Sequence, residues 1–133
     1  MTIKWDEINS VNVKEIDEQH QKLIAVINQF FATGGDGKEA LEVVLGELTE
    51  YANYHLKFEE ALFDKFQYEK SAEHKKMHQF YQQKVAEFKK DVEAGNHQEV
   101  FTAMSEFLKE WWISHINNAD FEYSTCFNKH GLY

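Results

Sequence analysis

Residues 41–66 read LEVVLGELTEYANYHLKFEEALFDKF, a stretch with the apolar spacing of a long amphipathic helix. Positions that alternate between three and four residues apart share one face of an α-helix. That face is predicted to point inward and to consist of Leu41, Leu45, Leu48, Ala52, His55, Glu59, Leu62 and Phe66. A histidine and a glutamate therefore occupy positions that a helix bundle normally fills with apolar side chains.

Three other stretches also carry histidines in the apolar positions of a helical pattern. Their inward residues are Ile16, His20, Leu23, Ile27 and Phe30, then His74, His78, Tyr81, Val85, Phe88 and Val92, then Phe101, Met104, Leu108, Trp111 and His115. Burying a polar ring without a partner costs roughly 2 kcal/mol or more, and a lone carboxylate costs far more. A bound cation would offset this cost, so the pattern predicts a metal site in the core.

The composition of the chain and the positions of its helix-breaking residues predict an all-α fold. Proline is absent, and glycines lie mainly at the ends of the periodic stretches. The predicted helices are residues 17–33, 38–65, 71–94 and 97–118, the second beginning at a capping box of Asp36 and Glu39. Their short connections predict a single domain, residues 1–133, folded as an up-down-up-down antiparallel four-helix bundle.

An N-terminal arm and a short C-terminal tail flank the predicted helices. The arm comprises residues 1–16, and the tail starts at about residue 121. Their aromatic residues are expected to pack onto the bundle; these are Trp5, Phe121, Tyr123, Phe127 and Tyr133.

In this topology the candidate metal ligands converge at one end of the bundle. They are His20, His55, Glu59, His74, His78, His115 and Asp120. Asp120 follows His115 by five residues, about 140° around a regular helix, and so misses the face on which His115 lies. We therefore predict that the fourth helix widens, bends or frays between His115 and Asp120.

The donor set predicts two metal ions. Five imidazoles and two carboxylates exceed the capacity of one tetrahedral zinc ion, and a single cysteine excludes a zinc-finger site. Two octahedral ions sharing carboxylates fit better, although these donors do not choose among iron, copper, nickel, zinc and manganese. Glutamate-rich di-iron bundles have a more anionic ligand set, so the imidazoles here favour reversible binding of dioxygen over its cleavage.

Composition excludes several partners. The net charge of -9 and the lack of a basic patch argue against nucleic acid and against anionic membrane surfaces. No stretch approaches about 18 apolar residues, so we expect no membrane insertion. The opening residues do not resemble a signal peptide, and we expect a cytoplasmic protein.

Taken together, the ligand motifs resemble those of the hemerythrins. The motifs are DEQH (17–20), HLKFE (55–59), HKKMH (74–78) and HINNAD (115–120). The resemblance covers nearly the whole chain, whose length and opening are similar to the single-domain bacterial members, the bacteriohemerythrins. Any one of these motifs is weak evidence, whereas all of them in order are specific.

The resemblance implies a non-haem di-iron centre that binds dioxygen. Its cofactors would be two iron ions (Fe2+/Fe3+) with an oxo or hydroxo bridge. One iron would be bound by His74, His78 and His115, and the other by His20 and His55. Glu59 and Asp120 would bridge them, and dioxygen would bind at an open position on the two-histidine iron.

The expected oxygen pocket is apolar. Its candidate lining residues, each close in sequence to a ligand, are Leu23, Ile24, Phe58, Trp111, Trp112 and Ile116. Trp112 stands where relatives are expected to have a smaller aliphatic residue, so we expect it to affect ligand access. None of these side chains is an obvious acid, which argues against an enzyme.

The preferred function is therefore reversible dioxygen binding, without catalytic residues, for storage, sensing or delivery to a separate oxygen-consuming protein. One alternative is a di-iron enzyme such as an oxidase, a peroxidase, or a protein that handles nitric oxide or iron. Another is an interaction module with an incidental metal. Oxygen uptake that reverses under vacuum would distinguish the first class from the others.

Overall fold

The computed structural model describes residues 2–33 and 37–133, and every regular element in these two ranges is helical. In chain order the elements are a 3-10 turn (Glu7–Asn9), α1 (Lys14–Thr33), α2 (Lys38–Tyr51), π1 (Ala52–Leu56), α3 (Lys57–Phe66), α4 (Ser71–Ala94), α5 (His97–Glu110), π2 (Trp111–Ala119), a second 3-10 turn (Asp120–Tyr123) and α6 (Ser124–Lys129). The prefix π marks wider turns that interrupt two of the helices.

Four bundle helices result from this order. They are α1, then α2 with π1 and α3, then α4, then α5 with π2. The second bundle helix packs against α1 and α4, and α4 packs against α5. The prediction of an all-α four-helix bundle is confirmed.

The helix ends lie close to the predicted ones. α1 begins earlier than predicted, at Lys14, because Asp17 accepts hydrogen bonds from Ser10 Oγ (2.5 Å) and Val11 N (2.9 Å) and holds the arm against the first turn. α4 ends at Ala94, and the next residue, Gly95, has a φ of 100° in the left-handed region that favours glycine. The predicted capping residue Asp36 lies outside the described residues.

One part of the predicted inward stripe is wrong. Leu62 and Phe66 are half-buried, and Phe63 is fully buried instead. The wider turn π1 precedes this segment and changes the rotation of the residues that follow it, which turns Phe63 inward.

Two apolar clusters lie on either side of the candidate ligands. The larger fills the bundle interior and includes Leu23, Phe30 and Trp111. The smaller joins the arm, the tail and the end of the second bundle helix, and includes Phe63 and Tyr123. The candidate ligands touch both, since His115 stacks on Trp111 and His74 lies against Phe63 and Tyr123.

The arm is tied to the distorted part of the fourth bundle helix. Asn9 Nδ2 donates to Asn117 Oδ1 (3.0 Å), and Ser124 Oγ donates to the carbonyl of Val11 (2.6 Å). The expected packing of the flanking aromatic residues is correct for Trp5, Tyr123 and Phe127. It is wrong for Phe121 and Tyr133, which are 37% and 71% exposed.

None of the helices within the two described ranges combines the length and the apolar character needed to cross a membrane.

Candidate metal centre

The structure brings the seven candidate ligands together from all four bundle helices. Each is at most 3% exposed; they are His20 on α1, His55 on π1, Glu59 on α3, His74 and His78 on α4, His115 on π2, and Asp120 on the second 3-10 turn. Residues separated by up to a hundred positions thus meet in one buried place. This convergence is the outcome expected from the antiparallel topology.

The ligand atoms form two groups. The first, the three-histidine group, contains His74, His78 and His115 with Glu59. The second, the two-histidine group, contains His20 and His55 with Glu59 and Asp120. Within each group the ligand atoms lie within 4.8 Å of one another, a spacing suited to a single ion.

Glu59 presents one oxygen to each group. Its Oε1 lies 3.2 Å from His78 Nε2, and its Oε2 lies 3.5 Å from His55 Nε2. The carboxylate can therefore bind one ion through each oxygen.

Asp120 faces the two groups in the same way. Its Oδ1 lies 2.9 Å from His74 Nε2 and 3.1 Å from His115 Nε2. Its Oδ2 lies 3.0 Å from His20 Nε2. Both carboxylates thus have the orientation of bridging ligands.

The imidazoles are spaced as neighbouring ligands of one ion. His20 Nε2 and His55 Nε2 are 3.1 Å apart, and His74 Nε2 and His115 Nε2 are 3.0 Å apart. For metal–nitrogen bonds of about 2.1 Å, adjacent ligands of an octahedral ion are about 3 Å apart. Two unprotonated ring nitrogens at this distance repel each other unless a cation or a proton lies between them.

Asp120 reaches the site because the fourth bundle helix widens, and the predicted distortion is confirmed. π2 spans Trp111–Ala119, and a 3-10 turn follows at Asp120. A π-helix closes i→i+5 hydrogen bonds and is wider than an α-helix, so residues five apart lie closer to one face than they do in a regular helix. A second wide turn, π1, holds His55 and was not predicted, because the four-residue spacing of His55 and Glu59 also fits a regular helix.

Both carboxylates are held in the ionised form. Burial raises the pKa of Asp120, but the surrounding histidines outweigh burial and set that pKa well below its usual range. Burial and the charge of Asp120 raise the pKa of Glu59, but His55 and His78 outweigh them and lower it. Both carboxylates are therefore anionic at neutral pH, as bridging ligands would need to be.

The histidines differ in their affinity for protons. Burial lowers the pKa of His20, but Asp120 outweighs burial and raises it above the ordinary value. Glu59 and Glu60 similarly outweigh burial at His78 and raise its pKa. At His55 burial prevails and lowers the pKa. Protonation would thus compete with metal binding at one histidine of each group.

Several ligand atoms are buried without hydrogen-bond partners in residues 2–33 and 37–133. They are Glu59 Oε1, His78 Nε2, Asp120 Oδ1 and Asp120 Oδ2. Buried anionic oxygens without partners are costly. These atoms could instead coordinate bound cations, and the mixed imidazole and carboxylate donors suit transition metal ions.

Comparisons with known proteins agree with this donor set. Residues 11–126 match the family model described as the hemerythrin HHE cation binding domain. The chain belongs to the hemerythrin family.

Relatives of the hemerythrin family extend the similarity along most of the chain. The bacteriohemerythrin of Pseudomonas aeruginosa (strain LESB58) is 31% identical over 120 residues, covering 90% of this chain and 77% of that protein. A hemerythrin-like protein of Naegleria gruberi is 32% identical over 119 residues, covering 90% and 88%. A crystal structure of a mutant hemerythrin superposes with a TM-score of 0.81 at 26% identity, covering 93% of this chain and 95% of that one.

Residues around the candidate ligands orient them, and sequence reasoning missed these residues. Gln19 Oε1 accepts from His55 Nδ1, Glu60 Oε2 accepts from His78 Nδ1 at 2.7 Å, and the Tyr123 hydroxyl donates to Glu59 Oε2. Such partners fix the ring orientation and the tautomer of metal ligands. The sequence carries no local signal for them, because each hydrogen bond joins different elements of the fold.

The predicted pocket residues do not all come together. Leu23, Ile24, Trp111, Trp112 and Ile116 are buried in the larger cluster. The half-buried Phe58 packs against the smaller cluster instead, and Leu56 takes a place in the larger one. The pocket role of these residues stays a prediction.

Two surface clefts reach the ligands. One, of about 310 Å³, lies between α1 and the second bundle helix and is lined by Gln19, Leu23, Tyr51 and His55 among others. The other, of about 510 Å³, is lined by Met77, Phe80, Phe107, Trp111 and His115 among others. In the second cleft the Trp111 ring stacks on the His115 ring at 4.0 Å between centroids.

Proposed function

We propose that this protein binds dioxygen reversibly at a non-haem di-iron centre. The observation that carries the proposal is the pair of carboxylates, Glu59 and Asp120, each with one oxygen toward either histidine group. That arrangement suits two ions held side by side by shared ligands. Membership of the hemerythrin family supports iron as the metal.

The proposed ligand assignment follows the two groups. His74, His78 and His115 would bind one iron, and His20 and His55 the other. Glu59, Asp120 and an oxo or hydroxo group would bridge the two. Counting one oxygen of each carboxylate and the bridging group, the three-histidine iron has six donors and the two-histidine iron has five. An octahedral ion with five donors has one position left for an exogenous ligand.

When bound, the two irons would supply the electrons that bind dioxygen and take them back on its release. The protein would provide the apolar environment of the metal site. Leu23, Ile24 and Trp112 are buried in the larger cluster and would exclude water from the site. Exclusion of water and protons slows irreversible oxidation, and this supports a carrier rather than an oxidase.

Two phenols lie next to candidate ligands and bear on the argument that the pocket offers no acid: the half-buried Tyr51, which stacks on His55, and the buried Tyr123, which bonds Glu59. Burial first, together with the nearby carboxylates, raises the pKa of both Tyr51 and Tyr123 well above the ordinary value. Such phenols keep their protons at neutral pH and act as hydrogen-bond donors. They are poor general acids, so the enzyme alternative gains no support from them.

The test is the metal content of anaerobically purified protein, followed by an oxygen titration monitored in the visible range. We expect about two irons per chain, an absorption band that appears with oxygen, and its loss under vacuum. Steady consumption of oxygen in the presence of a reductant would instead support the enzyme class. A folded protein that takes up no metal would refute the proposal.

The physiological roles proposed are storage, sensing or delivery of dioxygen to a separate oxygen-consuming protein. The cytoplasmic location and the lack of a nucleic-acid partner stay predictions from composition.

A further inference from the structure

Two large apolar side chains of α4 are exposed on the outer surface of the bundle. Met77 is 42% exposed and Phe80 is 55% exposed, which makes Phe80 the most exposed of the eleven phenylalanines. Both line the cleft of about 510 Å³ that reaches His115. An exposed apolar surface with polar residues at its rim is typical of an interaction site.

The cleft lies between α4 and the fourth bundle helix, and its two sides carry opposite charges. Lys76 is on the α4 side and Glu110 is on the α5 side. The Phe80 and Phe107 rings lie 6.2 Å apart between centroids, across the same cleft. Because α4 and α5 run antiparallel, Lys76, four residues before Phe80, and Glu110, three residues after Phe107, both lie about one turn further in the same direction. The two charges therefore face each other at one level of the cleft.

Both charged side chains of the cleft are exposed and available to a partner. Within residues 2–33 and 37–133, neither Lys76 nor Glu110 forms an ion pair. The preceding residue, Lys75, by contrast pairs with Asp64 at 2.6 Å. Glu110 Oε2 accepts a hydrogen bond from Ser114 Oγ at 3.2 Å and keeps its full charge. The cleft thus combines an apolar surface with one unpaired cation and one unpaired anion.

A second copy of this chain is complementary to this cleft. A twofold axis that runs along the cleft places α4 of each copy against α5 of the other. Phe80 then faces Phe107 of the second copy, and Lys76 faces Glu110 of the second copy. The symmetry repeats every contact, so all four charges are paired. A small anion or a small cation would match only one of the two charges of the cleft.

We propose that two copies of this protein associate through this cleft, with Phe80 of each copy packed on Phe107 of the other and Lys76 paired with Glu110. Removal of the exposed Phe80 and Met77 side chains from water favours the association. The net charge of -9 repels two copies, but salt screens that repulsion beyond about 8 Å at physiological ionic strength. The local match of charges therefore decides how the copies pair. The inference goes beyond the proposed function and needs no metal.

The first experiment is sedimentation equilibrium of the wild-type protein, Phe80→Ala and Tyr54→Ala at physiological salt. We expect the wild-type protein to dimerise with a dissociation constant of about 10 µM, because a contact of this kind belongs with the smaller specific interfaces. Phe80→Ala should raise that constant at least about tenfold, as the loss of a central aromatic anchor implies. Tyr54→Ala removes a 60% exposed ring that does not line this cleft, and it should leave the constant at the wild-type value.

A charge exchange tests the twofold pairing itself. Lys76→Glu and Glu110→Lys each place like charges opposite one another in both halves of the dimer, so each variant alone should dimerise at least about tenfold more weakly. An equal mixture of the two variants restores opposite charges at both contacts. The mixture should therefore form a heterodimer with about the wild-type affinity. A mixture that stays as weak as the single variants would overturn the proposed pairing.

Two further outcomes would overturn the inference. Wild-type protein that stays monomeric at about 100 µM, ten times the expected dissociation constant, would make a small apolar molecule or a different protein the candidate occupant of the cleft. A dimer with the same dissociation constant in Phe80→Ala would show that the copies meet elsewhere. Circular dichroism confirms that each variant is folded. Sedimentation does not depend on iron content, so either of these results leaves the proposed function untouched.

Discussion

The three-histidine group and the two-histidine group of the centre differ in how the fold supports them. His74 and His78 come from one regular helix, α4, and His74 lies 4.8 Å from the Phe63 ring between centroids. His20 and His55 come from two different helices, and a cleft of about 310 Å³ reaches His55. A larger cleft, of about 510 Å³, reaches His115, so a cleft leads to each group, and the groups differ in the number and the arrangement of their histidines.

This difference explains how one pair of carboxylates could bind two ions that differ in their other ligands. Glu59 and Asp120 offer an oxygen to each group, so the groups differ in their histidines and in their surroundings. Under the proposed function, the side with fewer imidazoles has one coordination position left over. An exogenous ligand would then bind where a donor is missing.

The largest effect should come from removing the shared charge. Glu59→Gln keeps the volume of the side chain and removes an anion that both groups use. We expect loss of both irons, measured by metal analysis after purification, because neither ion retains its bridging carboxylate. The matched control is Glu60→Gln, which changes the neighbouring carboxylate that bonds His78 Nδ1. It should weaken iron binding about 10- to 100-fold and still allow loading with excess iron. Retention of both irons by Glu59→Gln would contradict the bridging role.

The next largest effect should be a difference in iron content between variants that each lack one histidine, one variant for each group. His55→Ala leaves a single imidazole on its side, whereas His78→Ala leaves two on the other. We expect His55→Ala to bind about one iron and to lose the oxygen-dependent absorption band. His78→Ala should hold more iron under the same conditions. Metal analysis and visible spectra of both variants check this, and equal iron loss in the two would remove the proposed asymmetry.

Lower pH should weaken metal binding on both sides. The folded-state pKa values of His20 and His78 are raised above 6.5, so each binds a proton that the metal must displace. In metal-free protein these raised values stabilise the fold below pH 6.5, and that contribution is lost as the pH rises through the folded-state pKa. We expect metal affinity to fall at least about tenfold between pH 7.5 and pH 5.5, with protons released on binding. A chelator competition at several pH values measures this, and a flat profile would contradict it.

The smallest effect should follow from opening the interior next to the centre. Trp112 is 6% exposed, and Trp112→Leu would replace it with a smaller apolar residue. We expect oxygen release and autoxidation to become several-fold faster in stopped-flow and absorption measurements. Ile113→Leu, at a neighbouring position that is 56% exposed, is the control and should leave both rates unchanged. Unchanged rates in Trp112→Leu would show that this residue does not limit access.

Much of the fold and of the donor set could be predicted, because both depend on patterns within single helices. The stripe of α4, from His74 to Val92, is buried as predicted. The five-residue separation of His115 and Asp120 predicted the distortion that π2 shows. By contrast, the spacing of the residues gave no indication of π1. Leu62 was therefore predicted to be in the core, where the structure has Phe63.

The helical pattern of the sequence was enough to predict most of the side chains that face the interior, and therefore that imidazoles and carboxylates meet in one apolar core. This follows because the helical period is a local property that any stretch of chain carries. The packing of the helices was needed to establish which oxygen of Glu59 faces which histidine, that Tyr123 and Gln19 hold the candidate ligands, and that Tyr51 stacks on His55. Most of these contacts join residues far apart in the chain, and their geometry depends on how whole helices pack, which spacing along one helix does not record.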